Sequence, residues 1–274
     1  MIEFKDFLRL RDFLYRKTGI YMDDKKYEQF SKKLISYLKE HSYDNFSVFF
    51  HALRFESGSN MLQGVINLVT VNETYFFREK HHFDILINNV LPFLHQHRSK
   101  NDILRILCAP SSTGEEPYTL ALHLLDEAKL LESRDIELIG IDIDSNAIDK
   151  ATSGVFTKRS VQFVPNHLLT RYFKYKENNY HIHSHIKSSI SFKVANVMDR
   201  NQMMGLGNFD VIFSRNMLIY FDDESRKNVS HTFHDLLKPK GFVFLGHADK
   251  MCQVDSLFDT VKMSDSIIYQ KSNK

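Results

Sequence analysis

The chain has 274 residues, 43% of them hydrophobic, enough to bury a substantial core in one large domain or in a domain with a smaller companion. A formal net charge of +2 gives no general case for nucleic acid as a partner, so any electrostatic partner must be met by a local patch. The opening stretch MIEFKDFLRLRDFLYRK alternates charged and apolar residues, which excludes a secretory leader or a membrane span and points to the cytoplasm, without membrane insertion.

In chain order, Phe4, Phe7 and Leu8, then Tyr27, Phe30, Leu34 and Leu38, then Phe46, Phe49, Phe50 and Leu53 recur at three- and four-residue steps. That is the spacing of one helix face, so the first part of the chain reads as a small helical module. Its second helix also carries Lys25, Lys26, Lys32, Lys33 and Lys39. These are either a docking face for an acidic partner or the solvated side of an ordinary amphipathic helix.

From about Ile103 the rhythm changes to short β-rich runs separated by helical stretches: DILRILCA, IELIGIDID, ISFKVANV, FDVIFSRN and GFVFLGH. The alternation predicts a mainly parallel, doubly wound sheet with helices on both faces. The connection between the second and third runs is too long for one crossover helix. Within it Tyr180, Ile182 and Ile186 alternate with polar residues, so a small antiparallel β insertion is expected at about Thr157 to Ser189. Further on, Pro239 is expected to stop a helix, Gly241 to turn the chain into a strand, and SDSIIYQKS to form the last strand. Cys108 and Cys252 are too few for a disulfide framework and read as reduced, small hydrophobic side chains.

In an open parallel sheet, ligands bind beyond the carboxyl ends of the strands. The turn STGEEPY after the first strand has a single glycine, Gly114, suited to close backbone approach, and an acid, Glu116, that would repel a phosphate and favour a cation. Asp142 ends the second run, where a carboxylate can accept from both hydroxyls of a ribose. Asn196 follows the third run, and its amide offers the donor and acceptor that an adenine edge needs. In SRNMLIYF, Arg215 and Asn216 are placed to hold a carboxylate, with Tyr220 one turn further on. Taken singly, each of these is more simply a helix cap or strand-end group. Together they ask for an adenosine bearing a carboxylate and a positive charge, without phosphate, and S-adenosylmethionine meets that description. A nicotinamide-dependent dehydrogenase is disfavoured by the missing G-x-G-x-x-G and by the loop glutamates.

The combination of NETYFFRE, STGEEPY, DID, RNMLIYF and LLKPKGFVFLGH, behind a helical module, resembles the CheR-type chemotaxis receptor methyltransferases over nearly the whole chain. The resemblance implies a Rossmann-like class I methyltransferase domain with a small antiparallel β insertion and an N-terminal all-helical domain. We expect the helical domain over 1–68, a linker over 69–84 and the methyltransferase domain over 85–274, with the insertion at about 157–189. It implies that Asn72, Thr74, Arg78, Glu116, Asp142, Asn196, Val197, Arg215 and Asn216 line an S-adenosylmethionine site, and that Arg78 and Tyr220 face the methyl acceptor. The implied acceptors are glutamate side chains on the cytoplasmic helices of chemoreceptors, with recruitment to membrane receptor arrays. In that setting the lysines of the second helix, Lys25, Lys26, Lys32 and Lys33, become a docking face. A regulator that only binds the cofactor would need neither Arg78 nor Tyr220. Two departures stand out: the family's usual GHSE is GHAD here, with Ala248 and Asp249, and the insertion lacks a glycine-rich loop of the kind that would suit receptor-tail tethering.

No general base is expected, because a carboxylate acceptor is already ionised near neutral pH. His181, His183 and His185 alternate as if on one strand face, but without cysteine or carboxylate beside them no metal is expected. His81 and His82 read as structural groups rather than catalysts.

Overall fold

The computed structural model describes residues 2–56, 59–99, 101–127, 135–251, 256–264 and 266–272; Cys252 lies outside them, and Cys108 is buried as a free thiol. The helical module comprises α1 (Phe4–Thr18), a 3-10 turn Asp24–Lys26, α2 (Tyr27–Glu40), α3 (Phe46–His51) running on through a π turn Ala52–Glu56, and α4 (Ser59–Val69). The three- and four-residue steps bring Phe7, Leu10, Leu14, Phe30, Leu34, Phe49 and Val65 into one core. Gly19 closes α1 in the left-handed region at φ 72°, its N–H donating to Tyr15 O at 2.8 Å. A β-carbon there would lie 3.0 Å from Met198 Cγ, so this turn also lets the end of α1 press against the other half of the molecule.

After the linker come α5 (His81–Ile85), a π turn Leu86–Val90 and α6 (Leu91–His97). Then β1 (Leu104–Cys108), α7 (Glu115–Glu127), β2 (Ile136–Asp142) and α8 (Ser145–Ser153) lead into the insertion. The insertion contains β3 (Val155–Phe156), α9 (Asn166–Tyr172), β4 (Phe173–Lys176), β5 (Asn179–Ile182) and α10 (Ser184–Lys187). The chain continues with β6 (Ile190–Val194), α11 (Arg200–Met204), β7 (Phe209–Ser214), a 3-10 turn Leu218–Tyr220, α12 (Asp223–Leu236), β8 (Leu237–Leu245), β9 (Phe258–Met263) and β10 (Ser266–Lys271).

The main sheet has the order β6-β2-β1-β7-β8-β10-β9. Pairing is parallel from β6 to β8, while β10 runs antiparallel to β8 and β9 antiparallel to β10. The strands at its centre are apolar on both faces. Ile106, Val211, Phe213, Phe242 and Phe244 pack toward α5 and α7, whereas Leu107, Ile139, Ile212 and Val243 pack toward α12. Strand order reverses between β1 and β7, which opens a crevice at their carboxyl ends.

The insertion is antiparallel, in the order β3-β5-β4, and its first strand begins two residues ahead of Thr157. Phe156 and Phe173 close edge-on over Phe76 of the linker, at 4.8 and 5.5 Å between ring centroids, so the insertion braces the segment that leads to Arg78. Three local expectations are corrected. Only His181 lies on β5, because the chain leaves the strand after Ile182 and His183 and His185 fall at and within α10; the three histidines share no strand face. Ile186 for the same reason is a buried helical residue, not a strand residue. Pro239 does not stop α12, which ends at Leu236; it sits in the irregular first part of β8, beside Lys240 at φ 61°. Among the described residues there is no group of three or more His, Cys, Asp or Glu side chains arranged to hold a metal ion, and no helix is long and apolar enough to cross a membrane.

Candidate active site

Two adjoining chambers fill the crevice at the sheet switch point. The first encloses about 720 Å³, part of it open to solvent, and the second about 490 Å³; both include Val71, Pro110, Ser112 and Asn216 in their walls. Asn72, Asp142, Asn196, Val197, Asn216 and Tyr220 border the first. Thr74, Arg78, Glu116, Arg215 and Asn216 border the second. Gly114 borders neither. Its φ of 96° and the 2.9 Å that would separate its β-carbon from Ala151 Cβ show that it lets the β1 turn approach α8 closely.

Asp142 is buried at the end of β2, where it accepts from Ser112 N–H at 2.8 Å and Asp144 N–H at 2.9 Å. Burial raises its pKa to about 6 against the pull of those two amides. A carboxylate has more acceptor sites than these two bonds use, which leaves capacity for a ligand hydroxyl. Asp144 next to it caps α8 through the Asn146 and Ala147 amides. It also receives Thr70 Oγ1 at 2.5 Å and Asn72 Nδ2 at 2.6 Å. Asn72 therefore ties the linker to the end of β2, with Ser112 Oγ donating to its Oδ1 at 3.4 Å.

The side-chain amide of Asn196 is not the free donor and acceptor expected of an adenine reader. Its Nδ2 donates to Lys17 O at 2.7 Å and its Oδ1 accepts from Met198 N–H at 3.0 Å. This bonding pins the end of α1 above the first chamber, where Thr18 and Ile20 complete the wall. Val197, buried, contributes apolar surface beside Ala195 and Ile141. The helical module is thus part of the site, which the sequence did not indicate.

Arg215 is buried, and the carboxylates it holds are the protein's own. Its Nη1 donates to Glu116 Oε2 at 2.7 Å, its Nε to Glu79 Oε2 at 3.3 Å, and its Nη2 to the carbonyl of Arg78. The guanidinium also lies 5.2 Å from the Phe83 ring centroid. Glu79, at φ 51°, has its other oxygen 2.8 Å from His247 Nδ1. Burial pushes Glu79 upward, but His247 and Arg215 outweigh it and hold its carboxyl below the usual range. His82 is kept neutral, its pKa lowered to about 3 by burial and by the Arg215 charge. Burial raises Glu116 despite Arg215, and Glu116 Oε1 is buried without a hydrogen-bond partner. Glu116 also lines the second chamber, so a cationic ligand group there would meet its carboxyl beside Arg215.

Arg78 is freer than Arg215. Nη1 donates to Glu73 O at 3.1 Å and the guanidinium lies 5.7 Å from the Tyr75 ring centroid. Tyr220 is half-buried on its 3-10 turn, and burial raises its pKa while the Arg78 charge opposes the rise. Among the lysines, Lys25 and Lys26 belong to the 3-10 turn before α2 and not to the helix itself. Lys26 Nζ lies 5.6 Å from the Tyr220 ring centroid, and Lys33 Nζ donates to Leu68 O at 2.9 Å, so Lys33 serves α4. Lys25 and Lys32 are exposed and seven residues apart.

A doubly wound sheet with a carboxylate ending its second strand, and an acid where a phosphate binder would have a glycine-rich cradle, fits an S-adenosylmethionine-dependent methyltransferase. The chain belongs to the CheR methyltransferase family: the family's all-alpha domain matches residues 5–70 and its S-adenosylmethionine-binding domain matches residues 72–267. It is 40% identical to chemotaxis protein methyltransferase 2 of Vibrio cholerae serotype O1, over 98% of this chain and 93% of that protein. It is 31% identical to the chemotaxis protein methyltransferase of Salmonella typhimurium, over 89% of this chain and 83% of that one. The Escherichia coli chemotaxis protein methyltransferase is 29% identical, over 92% of this chain and 86% of its own length.

Proposed function

We propose that the protein methylates glutamate side chains on the cytoplasmic helices of chemoreceptors, forming glutamyl methyl esters and S-adenosylhomocysteine during chemotactic adaptation. The observation that carries this reading is a pairing of opposite charges in one crevice. Glu116, an acid in the wall of the second chamber, and Arg78, which pairs with no carboxylate among the described residues, line the same space, so a cation and an anion can each meet its opposite there. The family and the names of the relatives support the same reading.

S-adenosylmethionine supplies an electrophilic methyl group on a sulfonium. Transfer to a carboxylate needs no proton removal near neutral pH, since the acceptor is already ionised. Placement is then the chief contribution of the protein, and a well-oriented site can make it worth up to about 7 to 11 kcal/mol. Asp142 holds the ribose and Glu116 the positive end of the cofactor. Arg78 and Tyr220 orient the acceptor oxygen, and Thr18 and Ile20 narrow the first chamber from the side of the helical module.

Incubating the purified protein with methyl-labelled S-adenosylmethionine and receptor-containing membranes tests the reading. Label on the receptor that alkali releases as methanol is the expected result; alkali-stable label, or cofactor binding without transfer, overturns it. Tyr220→Phe is expected to lower kcat about tenfold, the worth of one well-placed hydrogen bond, and full turnover would remove that role for the hydroxyl.

The exposed lysines Lys25 and Lys32 face an acidic receptor helix, and location at receptor arrays results from that docking. Lys25→Glu with Lys32→Glu is expected to raise KM for receptor about tenfold at low ionic strength, with S-adenosylmethionine affinity unchanged. Lys33 is left out of that test, because reversing it would also strip the cation from the end of α4.

A further inference from the structure

Asp249 lies four residues past β8, buried, and its side chain reaches across to the turn after β7. Its Oδ2 accepts from the N–H of Asn216 and, at 3.2 Å, from that of Gly246; its Oδ1 accepts from the N–H of Ile219 at 3.2 Å. The turn it grips needs outside support. Asn216 is in the left-handed region at φ 58°, and the chain beyond it makes only a single 3-10 turn, Leu218–Tyr220. Within that turn Tyr220 N–H donates to Met217 O at 3.0 Å and Phe221 N–H to Leu218 O at 3.1 Å, whereas the Asn216 and Ile219 amides are satisfied by Asp249.

Gly246 bears on the same contact independently. A β-carbon at that position would lie 2.8 Å from Asp249 Oδ2 and 3.0 Å from Asn216 N, so the two loops meet only because no side chain intervenes. On the far side the turn is held by the end of α1, where Tyr21 N–H donates to Tyr220 O at 2.9 Å and Ile20 pairs with Phe221. The turn that carries Tyr220 is thus clamped from two directions, and one clamp is a single carboxylate.

We propose that Asp249 is a positioning residue for methyl transfer, setting the turn after β7 so that Tyr220 meets the acceptor. This rests on the role of Tyr220 in orienting the acceptor oxygen. A carboxylate suits the task because it only accepts, and two oxygens receive three amide hydrogens here. An asparagine of the same shape has one accepting oxygen and would turn an NH2 group toward backbone donors, so Asp249→Asn unlocks the turn. Asp249→Glu keeps both acceptors on a longer stem.

The test is a cycle of Asp249→Asn, Tyr220→Phe and the double variant, reading kcat at saturating receptor and S-adenosylmethionine, with cofactor affinity by calorimetry and folding by thermal melt. Asp249→Asn is expected to lower kcat about tenfold. The double variant should be little slower than the slower single variant, because removing the hydroxyl leaves the positioning nothing to act on. Asp249→Glu should recover most of the rate. Losses that multiply in the double variant, an Asp249→Glu as slow as Asp249→Asn, or an Asp249→Asn at full rate while Tyr220→Phe is slow would each overturn the inference. A Tyr220→Phe at full rate would instead bring down the role assigned to Tyr220, and the positioning role with it. Should Asp249→Asn not fold, Gly246→Ala enters the same cycle, since its methyl group intrudes between Asp249 and Asn216 with both still present; multiplying losses there overturn the inference equally.

Discussion

Arg215→Leu is expected to destabilise the protein by about 3 to 5 kcal/mol, the usual cost of removing one partner from a buried ion network. The guanidinium gathers Glu116 from α7 together with Glu79 and the Arg78 carbonyl from the linker. Without it two carboxylates face each other out of water. Glu116, already raised by burial, must rise further once its principal counter-charge is gone. For a carboxyl whose folded pKa exceeds its unfolded value, the folded state binds the extra proton, so stability falls as pH rises from the unfolded pKa through the folded one. The deficit of Arg215→Leu should therefore shrink as the melt is moved from pH 7.5 toward pH 5, and Glu116→Gln in the Arg215→Leu background should recover part of it. Arg215→Lys should not, because one ammonium cannot reach three acceptors in three directions as the planar fork does. Chemical denaturation followed by circular dichroism measures this directly. If Arg215→Leu melts like the parent and loses only cofactor affinity, Arg215 is a ligand contact and not a clasp between α7 and the linker.

The contrast between Arg215 and Arg78 marks where the sequence stops being informative. Both stand within motifs, and both look equally available to an anion in one dimension. What separates them is that Glu79 and Glu116, at sequence distances of 136 and 99 residues, converge on Arg215, and no periodicity carries such information. The ends of β1, β2 and β7 are legible because these central parallel strands are buried on both faces and read as apolar runs, so the polar residues that follow stand out, whereas β6, at the sheet edge, shows only alternation. Asn196 does follow β6, but its amide donates to Lys17 O, a partner that comes from the docking of α1 and that no local pattern announces. Strand β9 has no such signal: it lies at the opposite sheet edge, mostly exposed, and FDTVKM shows neither an apolar run nor regular alternation. Asp249 could be seen as a departure from the family's motif but not as a clamp, because its acceptors serve backbone amides that carry no sequence signature.

Asp142 leads to the second large effect, and its sign differs with and without ligand. Burial at the end of β2 raises its pKa to about 6. In the free protein, the carboxyl is protonated in folded and unfolded states below about pH 4, and between about pH 4 and 6 it is protonated chiefly when folded. Its contribution to stability is therefore fully present at low pH and is lost as pH rises through about 6, by about 3 kcal/mol in all. Other carboxyls titrate over the same range, so the quantity to measure is the difference between the parent protein and Asp142→Asn, which should favour the parent more at pH 4.5 than at pH 7.5. S-adenosylmethionine reverses the trend. Ribose hydroxyls donate to the ionised form, so the apparent Kd should be flat above pH 6 and weaken toward tenfold per pH unit below it, about a hundredfold by pH 4. Asp142→Asn should bind weakly and without that slope. A parent profile that stays flat from pH 7.5 to 4.5, with Asp142→Asn binding equally well, would take the ribose contact away from Asp142 and return it to the structural task it already performs, holding the Ser112 and Asp144 amides.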